Sequence, residues 1–241
     1  MKFWFEFEKT GVMKYVSYLD LLQILARGMN KSGLALAFSK GYNPQPKISF
    51  AHPLPLGVNA RKDYGELELD VSHTDNIALD RVSQVTANLP LGFNIKRSKT
   101  PNVEKLPKLM SIVHASAYCF DFSSIYTPCQ LEERLQKTWV DGDLIIEKKQ
   151  KKSGKYKKKD LKPLIYELKQ QGAMVETVFK AGSEGNLRPD DFVRAILNNA
   201  SLTHYISIER HEIYTEIKYK ENRCFIPLWN YDQKVAEIDS R

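Results

Sequence analysis

A tandem of two ferredoxin-like units, each βαββαβ, is the α+β architecture with antiparallel sheets that the sequence predicts, and three observations predict it. Hydrophobic patterns of period 2 and period 3.6 follow one another in the order β-α-β-β-α-β over the first hundred residues. A proline-bearing stretch without period comes next, and the same order then begins again with one strand added. The length of 241 residues, with 42% hydrophobic and 27% charged positions, suits one large or two small globular domains.

The elements follow in order. Phe3, Phe5 and Phe7 alternate with Trp4, Glu6 and Glu8, which predicts a first strand with one strongly apolar face. Ser17 and Asp20 form a capping box for a helix carrying Leu19, Leu22, Ala26 and Met29 at helical spacing, widened by Leu21, Ile24 and Leu25, and Gly33 stops it. Strands are expected over Lys47 to Ala51 and Tyr64 to Val71, a helix over about Asn76 to Asn88, and a strand near Phe93 to Arg97. Pro101 and Pro107 mark Ser98 to Ser111 as a linker, tethered by Met110. Beyond it, strands are expected over His114 to Phe122, Asp143 to Lys149, Lys162 to Lys169, Met174 to Lys180 and Tyr205 to Tyr214. Helices are expected over Cys129 to Lys137 and Pro189 to Asn198. Glu216 to Trp229 reads as a hairpin turning near Glu221 and Asn222. The domains expected are therefore residues 1–97, a linker 98–111, a second unit 112–230 and a tail 231–241.

Composition and motifs exclude several classes. No apolar run reaches the roughly 18 residues of a bilayer-spanning helix, and Glu6 and Glu8 sit where a signal peptide needs its apolar centre, so a cytoplasmic protein without membrane contact is expected. Cys119, Cys129 and Cys224 are odd in number and widely spaced, which argues against a disulfide framework, a zinc knuckle or an iron–sulfur cluster. There is no dinucleotide fingerprint, phosphate-binding loop or zinc-protease motif, and no cofactor is signalled. Gly182-Ser183-Glu184-Gly185 matches a KH-type loop but joins a strand to a helix, where a KH domain has it between two helices.

Charge is concentrated. The net charge is +7, yet Lys148 to Lys162 alone holds nine lysines (Lys148, Lys149, Lys151, Lys152, Lys155, Lys157, Lys158, Lys159, Lys162) against Asp160, leaving the remainder near −1. Such a run repels itself unless a polyanion neutralises it. It reads either as a solvated hairpin tip or as a nucleic-acid contact, in which each lysine on a phosphate releases a counterion and Tyr156 lies within the run. Arg188, beside Pro189, Asp190 and Asp191 at a helix start, is within reach of a phosphate, although the two acids chiefly serve the helix dipole.

A second candidate is Ser39 to Gly57, SKGYNPQPKISFAHPLPLG. Pro44 and Pro46 restrict their own φ angles and hold Asn43 and Gln45 extended. Either they wedge a long turn, or they display Tyr42 as a stacking platform, with Lys40 and Lys47 on phosphates and Asn43 on a base edge.

The same proline-rich segment, together with Tyr15-Val-Ser-Tyr-Leu-Asp20-Leu-Leu, Asp160-Leu-Lys-Pro163 and Gly185-Asn-Leu-Arg-Pro-Asp190, resembles the radical-SAM-linked family of uncharacterised bacterial proteins. Members are encoded beside, or fused to, a cobalamin-binding radical SAM protein. Lys162 stands where that family often has arginine, which weakens a bidentate phosphate grip there. The resemblance implies partnership with a radical SAM protein that would carry any radical chemistry, and family gene neighbourhoods imply a structured RNA, tRNA or rRNA, as the object presented.

Three functions compete. The first is a non-catalytic RNA-binding accessory protein that presents structured RNA to the radical SAM partner. The second is a metal-independent ribonuclease, with His52 as general acid or base, Tyr42 assisting and Lys47 stabilising the pentacovalent phosphate. The third is a protein-only adapter with an interface at the Trp4 or Trp229 surface.

Overall fold

A computed structural model describes residues 1–70, 84–103, 106–140, 142–149, 154–219 and 222–239. In chain order they form β1 (Lys2–Lys9), α1 (Tyr18–Lys31), β2 (Ile48–Phe50), β3 (Val58–Glu68), β4 (Phe93–Lys99), β5 (Ala115–Asp121) and α2 (Pro128–Leu135). These are followed by β6 (Ile145–Lys149), β7 (Tyr156–Asp160), β8 (Ile165–Gln171), β9 (Met174–Lys180), α3 (Pro189–Leu197), β10 (Ser207–Tyr219), β11 (Asn222–Pro227) and α4 (Tyr231–Asp239). The fold is mixed α+β, with mostly antiparallel strand pairing and few helices. Two compact units divide the chain, Met1–His114 with Arg210–Arg241, and Ala115–Glu209.

In the first unit the strands run β4-β1-β3-β10, with β11 pairing β10 and β2 pairing the end of β3. Phe3, Phe5 and Phe7 point into a core with Met13, Leu21, Leu25, Met29, Phe50 and Phe93, and the tilted and edge-on ring contacts there include Phe7 to Phe93 at 5.3 Å. The expected single apolar face of β1 is corrected: Trp4 and Glu6 are buried as well. Tyr231 lies 6.3 Å from the Trp4 ring, and Arg97 pairs with Glu6.

Helix α1 starts where Ser17 accepts the backbone N–H of Asp20, and its buried stripe is Leu21, Leu25, Gly28 and Met29. Leu19, placed on that stripe by its spacing, is 68% exposed in the first turn. Gly33 follows the helix at φ +73°, a region that favours glycine. β3 begins at Val58, six residues before the expected Tyr64, because the polar run Asn59 to Asp63 hides its period. The helix expected over 76–88 lies mostly outside the described residues; Val85–Asn88 is a 3-10 turn.

The linker is pinned by Leu109, which is buried and donates its N–H to Glu66, while Met110 is exposed. Residues 231–239, expected as a tail, form α4 and lie with Trp229 in the first unit.

In the second unit β9 pairs both β5 and β8, from Ala115↔Lys180 to Asp121↔Met174 on one side. Thr127 and Gln130 form a reciprocal capping box at α2. Phe192 of α3 packs on Phe120 at 4.9 Å and Phe179 at 5.2 Å, which seats the helix on the sheet. The lysine run, expected as a hairpin tip, is at its described ends part of two strands, β6 and β7, paired from Ile145↔Asp160 to Lys149↔Tyr156.

Gly65 of β3 lies opposite Phe5, whose ring covers the space a methyl group would take. Gly65→Ala is expected to displace that fully buried ring and cost about 1–3 kcal/mol, read as a lower urea midpoint at unchanged m-value. Undiminished stability would show that the ring moves aside freely.

Candidate nucleic-acid interface

The segment from Phe38 to Lys47 closes on itself. Ser39 N–H donates to Gln45 O at 2.9 Å, Gln45 N–H donates to Ser39 Oγ at 2.9 Å, and Lys47 N–H donates to Ala37 O at 2.8 Å. This short ladder, with Phe38 bridged to Pro46, leaves Lys40 to Pro44 as a protruding tip. Tyr42 is fully exposed there, beside exposed Lys40 and Asn43. A tip held by backbone hydrogen bonds and two prolines spends little entropy in presenting an aromatic face. Lys47, at the base, pairs with Glu68 at 3.0 Å.

On the lysine hairpin the side chains divide by the pleat. Ile146, Lys148, Lys157 and Lys159 share one face, and Ile145, Glu147, Tyr156, Lys158 and Asp160 the other. Ile146 is buried, Lys148 reaches Asp191 of α3, and Lys159 Nζ reaches Asn186 O at 3.5 Å. These lysines are part of the packing. Lys155, Tyr156, Lys157 and Lys158 are exposed, Tyr156 by 68%. Lys162 turns inward to Gly142 O and lies 5.9 Å from the Trp139 ring centre. The side chain of Lys149 and all of Lys151 and Lys152 fall outside the described residues.

Arg188 is engaged by Asp190 at 2.9 Å, a contact that raises its pKa further. Asp191, in the first turn of α3 as expected, is also buried against Lys148. His52 lines a small cavity with Lys9, Tyr18, Phe50 and Asp63, whereas Lys47 lines a different groove with Ile48, Glu66 and Glu68. Tyr42 lines neither, so neither cavity gathers the three groups of the ribonuclease reading. Trp4 and Trp229 are buried, which removes the surface on which the adapter reading stood.

Periodicity gave no sign of a buried charged network in the first unit. Asp63 and Arg210, both essentially without solvent exposure, are ion-paired, Arg210 also donates to His52 O at 3.0 Å, and Tyr64 N–H donates to Asp63 at 2.8 Å. Lys9 is buried nearby and donates to Val16 O at 2.9 Å. Burial pushes the Lys9 ammonium pKa down and the Asp63 carboxyl up, the latter against the pull of Arg210. Tyr64 donates its hydroxyl to Glu212 at 2.5 Å and stacks on Trp229 at 6.0 Å, and Arg97 covers that indole at 4.4 Å. Lys99 joins Asp232 and the Trp229 carbonyl. These charges meet each other within the fold. The one signal available in the sequence was Arg210, a charge inside the strand expected over Tyr205 to Tyr214.

Two outcomes follow from these contacts. Lys148→Ala strips the buried Asp191 of its cation and should cost about 1–3 kcal/mol in urea unfolding, while Lys157→Ala, equally part of the run, should cost almost nothing. Burial raises the Glu212 pKa above its ordinary 4.5, in spite of the Tyr64 hydroxyl and the Ile213 N–H. A carboxyl that binds its proton more tightly folded than unfolded loses stability for the fold as pH rises from that ordinary value through the raised one. Glu212→Gln should therefore gain on the native protein between about pH 4.5 and pH 7 in parallel unfolding curves; the opposite trend would mean that Glu212 is held ionised.

No curated protein matches the chain. The family model described as an uncharacterized protein conserved in bacteria (DUF2344) matches residues 2–189, which takes in the exposed Tyr42 tip, the lysine hairpin and the first residue of α3. On the extent of that match, the chain belongs to this bacterial family.

Proposed function

We propose that this protein is a cytoplasmic, non-catalytic RNA-binding accessory protein that presents a structured RNA, tRNA or rRNA, to a radical SAM partner. The observation that carries the reading is the split of the lysine run. Lys148 and Lys159 are taken up by contacts with the protein, and Lys155, Lys157 and Lys158 remain at the surface of a paired hairpin with Tyr156 among them. All three are exposed to solvent, and so within reach of a ligand. Grouped cations on a paired scaffold suit phosphates spaced along a polymer. The Tyr42 tip adds a sequence-tolerant stacking surface. The radical SAM partnership rests on the resemblance of the Ser39 to Gly57 segment.

A tandem of ferredoxin-like units is the scaffold proposed. In the first unit, the order β4-β1-β3 with β2 on the outer side of β3 is the order of such a unit. In the second, β5-β9-β8 with α2 after β5 and α3 after β9 supplies the corresponding strands and helices, with the β6–β7 hairpin inserted.

The test is the salt dependence of binding to bulk tRNA. Changing Lys155, Lys157 and Lys158 together to Ala should make the slope of log affinity against log salt shallower by about 2. Tyr42→Ala should weaken binding by about 1–3 kcal/mol without altering the slope. A slope that the triple variant leaves unchanged would remove the hairpin from RNA binding.

A further inference from the structure

A groove of about 510 Å³ runs beside β6 in the second unit, between that strand and the last two turns of α3. Asp143, Ile145, Ile146, Glu147 and Lys148 line one wall, and Asp191, Arg194 and Asn198 the other. Asp191 and Arg194 lie at i and i+3, so one face of α3 looks onto the strand, and Asn198 borders the groove just past the helix end.

The strand edge at this groove is unpaired. β6 and β7 form a two-stranded ribbon, and among the described residues no strand pairs the far side of β6. Leu161 N–H donates to Leu144 O at 2.9 Å, which makes Leu144 and Leu161 a hydrogen-bonded pair. By antiparallel alternation Ile146 and Lys148 also bond to β7, and the N–H and C=O groups of Ile145 and Glu147 point away from it, along the open edge. Exposed backbone groups in a row are a template for another strand.

The charges say which strand. The two walls carry Asp143, Glu147 and Asp191 against Lys148 and Arg194, and Lys158 brings the total to three of each sign. A groove without net charge gives phosphates no preference, unlike the exposed lysines at the end of the hairpin. Lys148 and Asp191 already satisfy one another, and among the described residues Arg194 has a 3.9 Å contact with Asp190 as its ion pair. An acid on the incoming chain is thus matched by Arg194, and an apolar side chain on the same face by Ile146. We infer that this groove binds an extended polypeptide segment by strand addition to β6, with an acidic side chain facing Arg194 and an apolar one two residues away. This mode draws its affinity from main-chain hydrogen bonds and its specificity from alternate side chains. It rests on the edge of β6 and not on the RNA reading, although Lys158 borders this groove as well.

Amide hydrogen exchange of the full-length protein tests it, with three capped heptapeptides as probes: Ac-TVTDTVT-NH2, the lysine analogue Ac-TVTKTVT-NH2, and Ac-TVPDPVT-NH2, whose prolines cannot complete a ladder. The aspartate peptide should bind saturably and slow exchange at the Ile145 and Glu147 amides by roughly tenfold or more. The proline peptide should do neither. Arg194→Glu, a change at a half-exposed position, should reverse the preference between the aspartate and lysine peptides. Equal effects from all three peptides, or none from any, would overturn the inference. So would protection of the same two amides by decauridylate, which would assign the groove to RNA.

Discussion

The first unit depends on the ion pair between Arg210 and Asp63. It joins residues 147 positions apart in the chain, in a place where neither side chain meets solvent. Burying two charges is costly, and hydrogen bonds from neighbouring backbone groups offset part of that cost. Tyr64 N–H serves Asp63, and His52 O receives Arg210. The pair thereby holds β3, β10 and the segment after β2 in one arrangement. A slip of either strand by one residue would turn a charged side chain to the wrong face and leave its partner unpaired in the interior. The neighbouring contact of Tyr64 with Glu212 repeats the same link one residue along β3 and two along β10.

That constraint explains why the C-terminal residues lie in the first unit. β10 enters it at Arg210, and Trp229 stacks on Tyr64 under the cover of Arg97 and Lys99. Asp232 then anchors α4 through Lys99 and the Asn102 N–H. Each contact is between residues distant in sequence, so residues 231–239 look like an unremarkable tail until their partners are known.

The lysine hairpin answers a different constraint. Lys148 stands directly across from Lys157, a like-charge pair that opposes the ribbon it belongs to. Asp191 relieves this by holding Lys148 against α3, while buried Ile146 supplies the apolar contact. A two-stranded ribbon is marginal without such cover. The division of the run into packed and exposed lysines is therefore a consequence of how the hairpin is supported, and it decides which of them a ligand can reach.

Elements whose signals are local were legible from the amino acids alone. α1 starts at Ser17 and is followed by Gly33, β9 runs over Met174 to Lys180, and α3 starts at Pro189, because capping groups, proline and regular periodicity act within a few residues of themselves. The turn around Tyr42 was legible for the same reason, since prolines restrict their own neighbours, but they do not decide whether the ring is displayed. What only tertiary structure decided were the outcomes set by distant partners: the burial of Trp4, Glu6 and Asp63, the exposure of Leu19 and Met110, and the pairing of Lys148 with Asp191. A side chain's charge and shape are properties of one position, but the free energy of burying it depends on what stands opposite, and that is known only after the chain has folded.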